Sequence, residues 1–239
     1  MIPYIVLNGK TSTTVTGLLI SELPTISKPK QRTEVKNIDG RDGDIVTPLG
    51  FSAYDKTLKI GLRGQYNVDD VISYFNSSGK VIFSNEPDKY YNYAIYDSID
   101  FEKLIRFKTA KVKFHVQPFK YSADEKEKTF TYPAGTTTAT ITVRNNGNYF
   151  SKPKLTITGA GSIRVYLGDM QIFLITLDSQ GESIIIDIDK LNAYDTDGNY
   201  LNRLVTGDYN NFTLKAGLND ITVNGSITSI AIDNYSRWI

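Results

Sequence analysis

The fold follows from the stretch Lys111-Val112-Lys113-Phe114-His115-Val116, in which polar and apolar side chains alternate. Successive side chains of a β-strand point to opposite faces of the sheet. The three apolar residues of this stretch therefore share one face, and the basic residues share the other. The pattern predicts a strand with one buried side and one side in water.

The same alternation, rich in Val, Ile and Thr, continues through the C-terminal half of the chain. Residues 136–143, 154–158 and 163–167 each carry apolar side chains at every second position. Turn signals separate such segments: Asn145-Asn146-Gly147, Gly159-Ala160-Gly161, Asp178-Ser179-Gln180-Gly181 and Asp195-Thr196-Asp197-Gly198. We expect residues 129–239 to form an antiparallel β-sandwich of strands joined by short turns.

One segment departs from the period of two. Residues 67–76 begin with a capping residue, carry Asp69 and Asp70 in the first turn, and end at Ser77-Ser78-Gly79. This pattern predicts a helix of about two to three turns. The helix leads into an apolar strand over residues 81–83.

A charged segment marks the clearest domain boundary. A strand-like segment ends at Pro118, and residues 122–128 are mostly charged. Such a run does not repay its ordering entropy by burial, so we expect a linker or an exposed edge there. The sequence predicts two mainly β domains, residues 1–120 and 121–239.

The composition argues against several functional classes. The 239 residues include 27 Lys and Arg against 26 Asp and Glu, and this balance offers no global attraction for nucleic acid or an anionic bilayer. The absence of cysteine excludes disulfides and thiolate metal sites. No apolar stretch approaches the roughly 20 residues of a membrane-spanning helix. The first residues also lack the pattern of a secretory signal.

Candidate catalytic and metal-binding residues are few. His115 is the single histidine, and no Gly-x-Ser-x-Gly elbow accompanies it, so we interpret it as a surface strand residue. Asp195, Asp197 and Asn199 imitate the start of an EF-hand loop, but the later glycine and glutamate are missing, and a tight turn explains them. We expect no enzyme activity, no cofactor and no metal site.

Tyrosines form a dense cluster at Tyr90, Tyr91, Tyr93 and Tyr96. Such a cluster can stack on bases or sugars, but tyrosine is also favoured in strands and at protein interfaces. Because no basic stripe accompanies the cluster, the interface interpretation is preferred over nucleic-acid binding.

A series of local patterns runs through almost the whole chain in a fixed order. The N-terminal half carries Leu7-Asn8-Gly9, Gly40-Arg41-Asp42-Gly43, residues 79–87 followed by Tyr90-Tyr91, and residues 112–121. The C-terminal half carries residues 145–148, 151–153, 157–159, 185–187, 217–221 and 235–238. Together these patterns resemble the distal tail proteins of long-tailed, non-contractile bacteriophages and related prophages.

The resemblance implies a β-sandwich-like N-terminal domain with one short helix and an extended hairpin, followed by a galectin-like antiparallel β-sandwich. The first domain would form a hexameric ring, a hub at the virion tail tip. This ring would join the tail tube protein to the tail-associated fibre or baseplate protein, and the tape-measure protein and later the DNA would pass through its centre. Assembly is then expected in the bacterial host cytoplasm. Sugar binding is not implied, because a shared fold is not a site.

A closed ring requires two different, matching patches on each subunit. Residues 28–55 offer one of them, because the polar run over residues 28–44 is poor in core residues for so long a segment. We therefore expect residues 28–55, called the arm below, to reach a neighbouring subunit. The expected contact residues are Lys28, Arg32, Arg41, Asp42, Asp44 and Tyr54.

Two other functions compete with assembly. Residues 129–239 could form a carbohydrate-binding adhesion module that grips host-wall polysaccharide through surface tyrosines or Trp238. Asp187 and Asp189, about 7 Å apart on one predicted strand face, could supply the acid and base of a glycosidase. A solvent-facing stripe is the simpler interpretation of these two aspartates, and neither function has a motif behind it.

Overall fold

The structure, a computed structural model, describes residues 2–239 and is mainly β, as predicted. The chain divides into two compact units. The first runs to Ala123 and includes Ile239, and the second spans Asp124–Trp238. No helix in the described part of the chain has the length and apolar character needed to cross a membrane.

The first unit contains one large sheet, two helices and a separate hairpin. Its strands are β1 (Ile5–Leu7), β2 (Lys10–Thr11), β3 (Leu18–Glu22), β4 (Gln31–Asn37), β5 (Asp44–Phe51), β6 (Tyr54–Leu62), β7 (Ser78–Phe83), β8 (Lys89–Ala94) and β9 (Thr109–Ser122). Its helices are α1 (Val68–Phe75) and α2 (Phe101–Phe107). The large sheet has the order β2-β1-β7-β8-β9-β6-β3, whereas β4 and β5 pair in a two-stranded sheet of their own.

The alternation that predicted β9 is confirmed, because Val112, Phe114 and Val116 are fully buried. The ring of Phe114 lies 5.7 Å from that of Phe83 and 5.2 Å from that of Tyr93, centroid to centroid. Edge-on and tilted aromatic contacts of this kind add to the stabilisation that comes from burial alone. The core of the first unit is therefore built around the stretch that decides the fold.

The predicted helix is confirmed as α1, and its cap is Asn67, whose side chain accepts a hydrogen bond from the backbone N–H of Asp69 at 3.0 Å. The second helix, α2, was not predicted. Among its seven residues only Leu104 is buried, and Phe107 is largely exposed. So short a helix with so narrow an apolar face leaves little periodic signal in the sequence.

The prediction that a strand ends at Pro118 is wrong, because β9 continues to Ser122. Between the pairs Tyr91–Lys120 and Tyr93–Val116 the register shifts, so that β9 carries extra residues there. Pro118 lies in this β-bulge, where its missing N–H removes no bond from the ladder. The boundary between the units consequently falls after Ala123.

The second unit is a seven-stranded antiparallel sheet. Its strands are β10 (Lys128–Thr131), β11 (Thr138–Asn145), β12 (Lys154–Leu167), β13 (Met170–Asp187), β14 (Asn192–Tyr194), β15 (Val205–Gly207) and β16 (Gly217–Asp233), and a short strand β17 (Arg237–Trp238) follows. The sheet order is β10-β16-β12-β13-β14, with β11 added to β16 and β15 added to β13.

Three long strands, β12, β13 and β16, run through both halves of this sheet. The first half of β12 pairs with the second half of β13, and the second half of β12 pairs with the first half of β13. Buried residues from both halves form one apolar core, including Ile157, Ile163 and Val223. The sheet therefore closes over its own core, as expected for a β-sandwich whose strands bend from layer to layer.

Two of the predicted turns are β-bulges instead. Register shifts interrupt the β12–β13 ladder at Gly159–Gly161, and residues 178–181 lie within β13 at the same point. A side chain at Gly159 would meet the carbonyl oxygen of Ser226 at 2.2 Å, and Gly161 has a φ of +69°. Glycine is common both in turns and in β-bulges. The sequence pattern alone therefore did not distinguish a turn from a bulge.

The second unit starts and finishes at adjacent places. Lys128 of β10 lies opposite Ile232 of β16. The carboxylate of Glu125 accepts hydrogen bonds from the backbone N–H of Ser236 at 2.6 Å and from its hydroxyl at 2.7 Å. One residue of the predicted charged linker thus fastens the two ends of the unit together.

Candidate subunit interface

The arm contains the hairpin formed by β4 and β5. All seven residues of β4 are exposed, and β5 is exposed over most of its length. The turn between the strands, residues 38–43, includes Gly40 and Gly43 at φ values of +80° and +77°. An isolated two-stranded hairpin is only marginally stable in water. The hairpin would therefore be more stable if it packed against another surface.

One face of the hairpin carries an exposed apolar pair. Val35 and Val46 are direct cross-strand partners, with 53% and 56% of their surfaces exposed. On the opposite face the Lys36 ammonium lies 3.3 Å from the Glu34 carboxylate. Leu49, which is also exposed, lies at the register shift near the root of the hairpin. The hairpin thus carries an exposed valine pair on one side and, on the other, a solvated ion pair beside the half-buried Ile45.

The expected contact residues are spread along the arm. Lys28, Arg32, Arg41, Asp42 and Asp44 are exposed, and the Arg32 guanidinium donates to the carbonyl oxygen of Leu49 at 3.2 Å. Arg32 pairs with Gly50 at the base of the hairpin, whereas Arg41, Asp42 and Asp44 lie at its tip. Tyr54 lies apart from them on β6, partly buried against the core of the first unit.

The segment that leads from β3 into β4, called the root of the arm, is held by side chains of β6 and of the turn after β7. The Lys56 ammonium donates to the carbonyl oxygen of Thr25 at 2.8 Å, and the Tyr54 hydroxyl donates to that of Ser27 at 3.3 Å. The Asn85 amide donates to the carbonyl oxygen of Pro24 at 3.0 Å. These bonds fix the segment that leads from β3 into β4, so the hairpin leaves the sheet in a defined direction.

A buried charge cluster lies under this root. The Glu86 carboxylate accepts from the Lys120 ammonium at 2.6 Å and from the Tyr91 hydroxyl at 2.7 Å. Lys56, only 3% exposed, places its ammonium 4.9 Å from the centre of the Tyr91 ring. Burial lowers the pKa of Lys56 to about 8, although Glu86 opposes this change. Burial also raises the pKa of Tyr91 well above its ordinary value.

Lys56 should make stability depend on pH. Above about pH 8 the folded chain loses the Lys56 proton, whereas the unfolded chain keeps it up to its ordinary pKa near 10.5. Because the unfolded state then binds more protons, the free energy of unfolding should rise with pH in this window, by at most about 1.4 kcal/mol per pH unit.

The measurement compares denaturant unfolding of the wild type with that of Lys56→Met between about pH 7.5 and about pH 9.5. The wild type should gain stability relative to the variant as the pH rises, because the other ionisable groups are common to both chains. A difference that stays constant over this window would show that Lys56 does not titrate there.

Sequence reasoning missed the buried lysines, although a signal was present. Lys56 occurs in phase with Leu58 and Ile60, at every second residue of β6. The period of two therefore points Lys56 inward, against its usual preference for the surface. Lys120 follows Pro118 and the bulge in β9, and the shift in register removes the corresponding signal there.

His115 lies on the wet face of β9, as predicted. Its Nδ1 atom is 2.8 Å from Asp55 Oδ1, and this hydrogen bond lowers the pKa of Asp55. Lys113 lies beside them and pairs with Asp97 at 2.7 Å. The pocket lined by these residues and Tyr96 has a volume of about 130 Å³. It holds no serine, threonine or other hydroxyl nucleophile among its described lining residues apart from the Tyr96 phenol.

The tyrosine cluster does not form a single surface. Tyr91 and Tyr93 are buried in the core, whereas Tyr96 is largely exposed beside His115. The Tyr90 ring stacks on Tyr121 with centroids 5.4 Å apart. Strand alternation separates these side chains, so the cluster cannot act as one stacking platform.

The Asp195 loop is a hydrogen-bonded turn, as predicted. The Asp195 carboxylate accepts from the backbone N–H groups of Asp197 and Asn199 and from the Asn199 amide, at 2.8–2.9 Å. These bonds lower the pKa of Asp195, the Asn199 side chain most of all. Within residues 2–239 no group of three or more His, Cys, Asp or Glu residues is arranged to hold a metal ion.

The prediction that Asp187 and Asp189 share a strand face is wrong. β13 ends at Asp187, and Asp189 lies in the turn that follows. Asp187 is buried and accepts hydrogen bonds from the backbone N–H of Lys190 and the hydroxyl of Tyr194. Asp189 instead faces Lys152 at 3.6 Å. The pair does not have the arrangement that the glycosidase hypothesis required.

Comparison with known proteins gives a match in fold. No protein-family model matches the sequence, and no curated protein matches it. The crystal structure of the SPP1 Dit (gp 19.1) protein, described as a paradigm of the hub adsorption apparatus in phages that infect Gram-positive bacteria, aligns over 97% of this chain and 98% of its own, with a TM-score of 0.67 and 17% identity. A chain of the phage p2 baseplate in its activated conformation with Sr aligns over 97% of this chain and 96% of its own, with a TM-score of 0.50 and 11% identity. The resemblance to distal tail proteins is thereby confirmed in the fold.

Proposed function

We propose that this chain is a structural hub protein of a phage tail, whose first unit forms a hexameric ring at the virion tail tip. The ring joins the tail tube protein to the fibre or baseplate protein below it. The observation that carries this proposal is the exposed valine pair of the hairpin, Val35 and Val46, in a fold shared over nearly its full length with the SPP1 hub protein.

The ring interface is heterologous, so the arm of one subunit meets a different patch on the next. A candidate for that patch is α2, where Ile105 and Phe107 are exposed in the same unit. A heterologous interface uses two different patches of each subunit. Large exposed apolar side chains at two separate places, the hairpin and α2, meet this requirement. The charged residues Arg41, Asp42 and Asp44 at the turn then supply the polar contacts of the arm's tip.

The centre of the ring passes the tape-measure protein and later the DNA. The net charge of +1 supports this role, because a strongly basic channel would retain a polyanion by counterion release. Assembly takes place in the bacterial host cytoplasm, before the particle leaves the cell. The role is structural, not catalytic, in this proposal.

The mass and shape of the purified chain test the proposal. Light scattering should give six times the chain mass of 26.8 kDa, and negative-stain microscopy should show rings with a central hole. The purified ring should also bind tail tube and fibre proteins. Material that stays single-chain at high concentration and ignores both partners would contradict the proposal.

A further inference from the structure

A second cavity, of about 230 Å³, lies on the second unit. Its lining residues are Lys190, Asn192, Tyr194, Gly198 and Tyr200. They come from the turn after β13, from the edge strand β14 and from the Asp195 loop. None of them belongs to the arm or to the core of the unit, and assembly through the first unit gives them no role.

The walls of this cavity are positioned by buried and hydrogen-bonded groups. The buried Asp187 carboxylate accepts from the Tyr194 hydroxyl at 3.3 Å, and the Lys190 ammonium lies 3.5 Å from the same oxygen. The Asn192 side-chain oxygen accepts from the Asn202 amide at 3.1 Å, so the Asn192 amide N–H groups are the part of this side chain that can donate to a ligand. Side chains fixed in this way lose little entropy when a ligand binds.

The chain next to the cavity is conformationally unusual. Leu191 adopts a φ of +55°, a region that L side chains rarely occupy, and it remains substantially exposed. Strain at a non-glycine residue on a surface turn persists only where the surroundings impose it, and it is concentrated at ligand sites. Tyr200, which also lines the cavity, is 72% exposed and so leaves most of its ring open to a ligand.

The charges and the strand edge exclude two kinds of ligand. Lys190 is balanced by Asp187, and Asp195 and Asp197 lie in the adjoining loop, so a polyanion is not favoured. A peptide cannot add to β14 as a further strand, because the backbone groups of Ala193 are already bonded to Leu201 and Asn202. What the cavity offers is an aromatic face beside amide, ammonium and phenol groups.

We propose that this cavity binds one ring of a neutral saccharide. The C–H face of the sugar packs on the Tyr200 ring, and its hydroxyl groups bond to the Asn192 amide, the Lys190 ammonium and the Tyr194 phenol. Gly198, whose φ is +89°, keeps the remaining wall free of a side chain. A site lined by a few placed polar groups and one apolar surface is the general form of a small-molecule site.

The test uses the full chain and saturation-transfer NMR with methyl glycosides of glucose, galactose and N-acetylglucosamine as probes. At least one probe should receive saturation from the wild type and from Tyr200→Phe, which keeps the ring. Tyr200→Ala should weaken binding about tenfold or more, since it removes the stacking face. Asn192→Ala provides a second variant that leaves the tyrosines in place, and circular dichroism verifies that each variant is folded.

Tyr96→Ala is the matched control, because Tyr96 has a similar exposure of 75% on the first unit. It should bind the probe as the wild type does. The proposal is overturned if none of the three glycosides receives saturation, if transfer is unchanged in both Tyr200→Ala and Asn192→Ala, or if the Tyr96→Ala control alone loses it. The result does not depend on whether the first unit forms a ring.

Discussion

Replacing residues 32–50 with Asn-Gly should give a folded chain that no longer forms hexamers. Gln31 and Phe51 are paired across the base of the hairpin, and the backbone N–H of Ser52 donates to the carbonyl oxygen of Lys30 at 2.9 Å. A two-residue Asn-Gly turn suits such a pair. The shortened chain therefore keeps the root of the arm and loses only the exposed strands.

The expected readout is a fall in mass from six chains to one by light scattering at equal concentration. A milder variant, Val35→Lys with Val46→Glu, places opposite charges on a cross-strand pair, so it keeps the hairpin while removing the exposed valine pair. It should also dissociate the ring. Met170→Glu alters a side chain of comparable exposure, 53%, on the second unit and should leave the mass unchanged. Hexamers that survive loss of the hairpin would rule out the arm as the main contact.

Glu86→Ala should lower the free energy of unfolding of the first unit by about 3–5 kcal/mol. The change leaves the Lys120 ammonium and the Tyr91 hydroxyl without their shared acceptor in a nearly dry site. An unpaired buried charge costs more than the pair itself contributes, which is why removal of one partner is so destabilising. Guanidinium unfolding at fixed protein concentration measures the loss, and hydrogen exchange of β7–β9 amides assigns it to the first unit.

The matched control is the double variant Glu86→Leu, Lys120→Met. It removes both charges and restores apolar volume, so it should be clearly more stable than Glu86→Ala. If the free energy of unfolding of Glu86→Ala is within about 1 kcal/mol of the wild-type value, Glu86 does not offset a buried charge in the folded chain. The same conclusion follows if the double variant is no more stable than Glu86→Ala.

Alternation predicted the strands well because each sheet buries one face. Residues 111–116 and 138–145 show this directly, since every second side chain is buried in the structure. The pattern was weaker where the ladder is irregular. Pro118 and Gly159–Gly161 have the chemistry of breaks, yet the strands run through them, because a bulge tolerates a missing N–H or a positive φ without ending the pairing.

The arm was visible in the sequence as a long segment poor in core residues, and in the structure it contains a paired hairpin with one exposed valine pair. The cavity proposed to bind a saccharide was not visible. Its lining residues lie between Lys190 and Tyr200, and one of them, Gly198, belongs to the Asp195 turn that resembles an incomplete calcium loop. The cavity forms where a turn and an edge strand meet. Hydrophobic periodicity predicts strands and helices, but it does not predict such a tertiary contact.

The fastening of Glu125 to Ser236, with Lys128 opposite Ile232, gives the second unit the properties of an exchangeable module. Both ends of the unit lie next to each other, so a foreign domain whose own ends are close can be inserted at the same place in the chain. The second unit can then be exchanged for another domain while the remainder of the chain keeps its sequence.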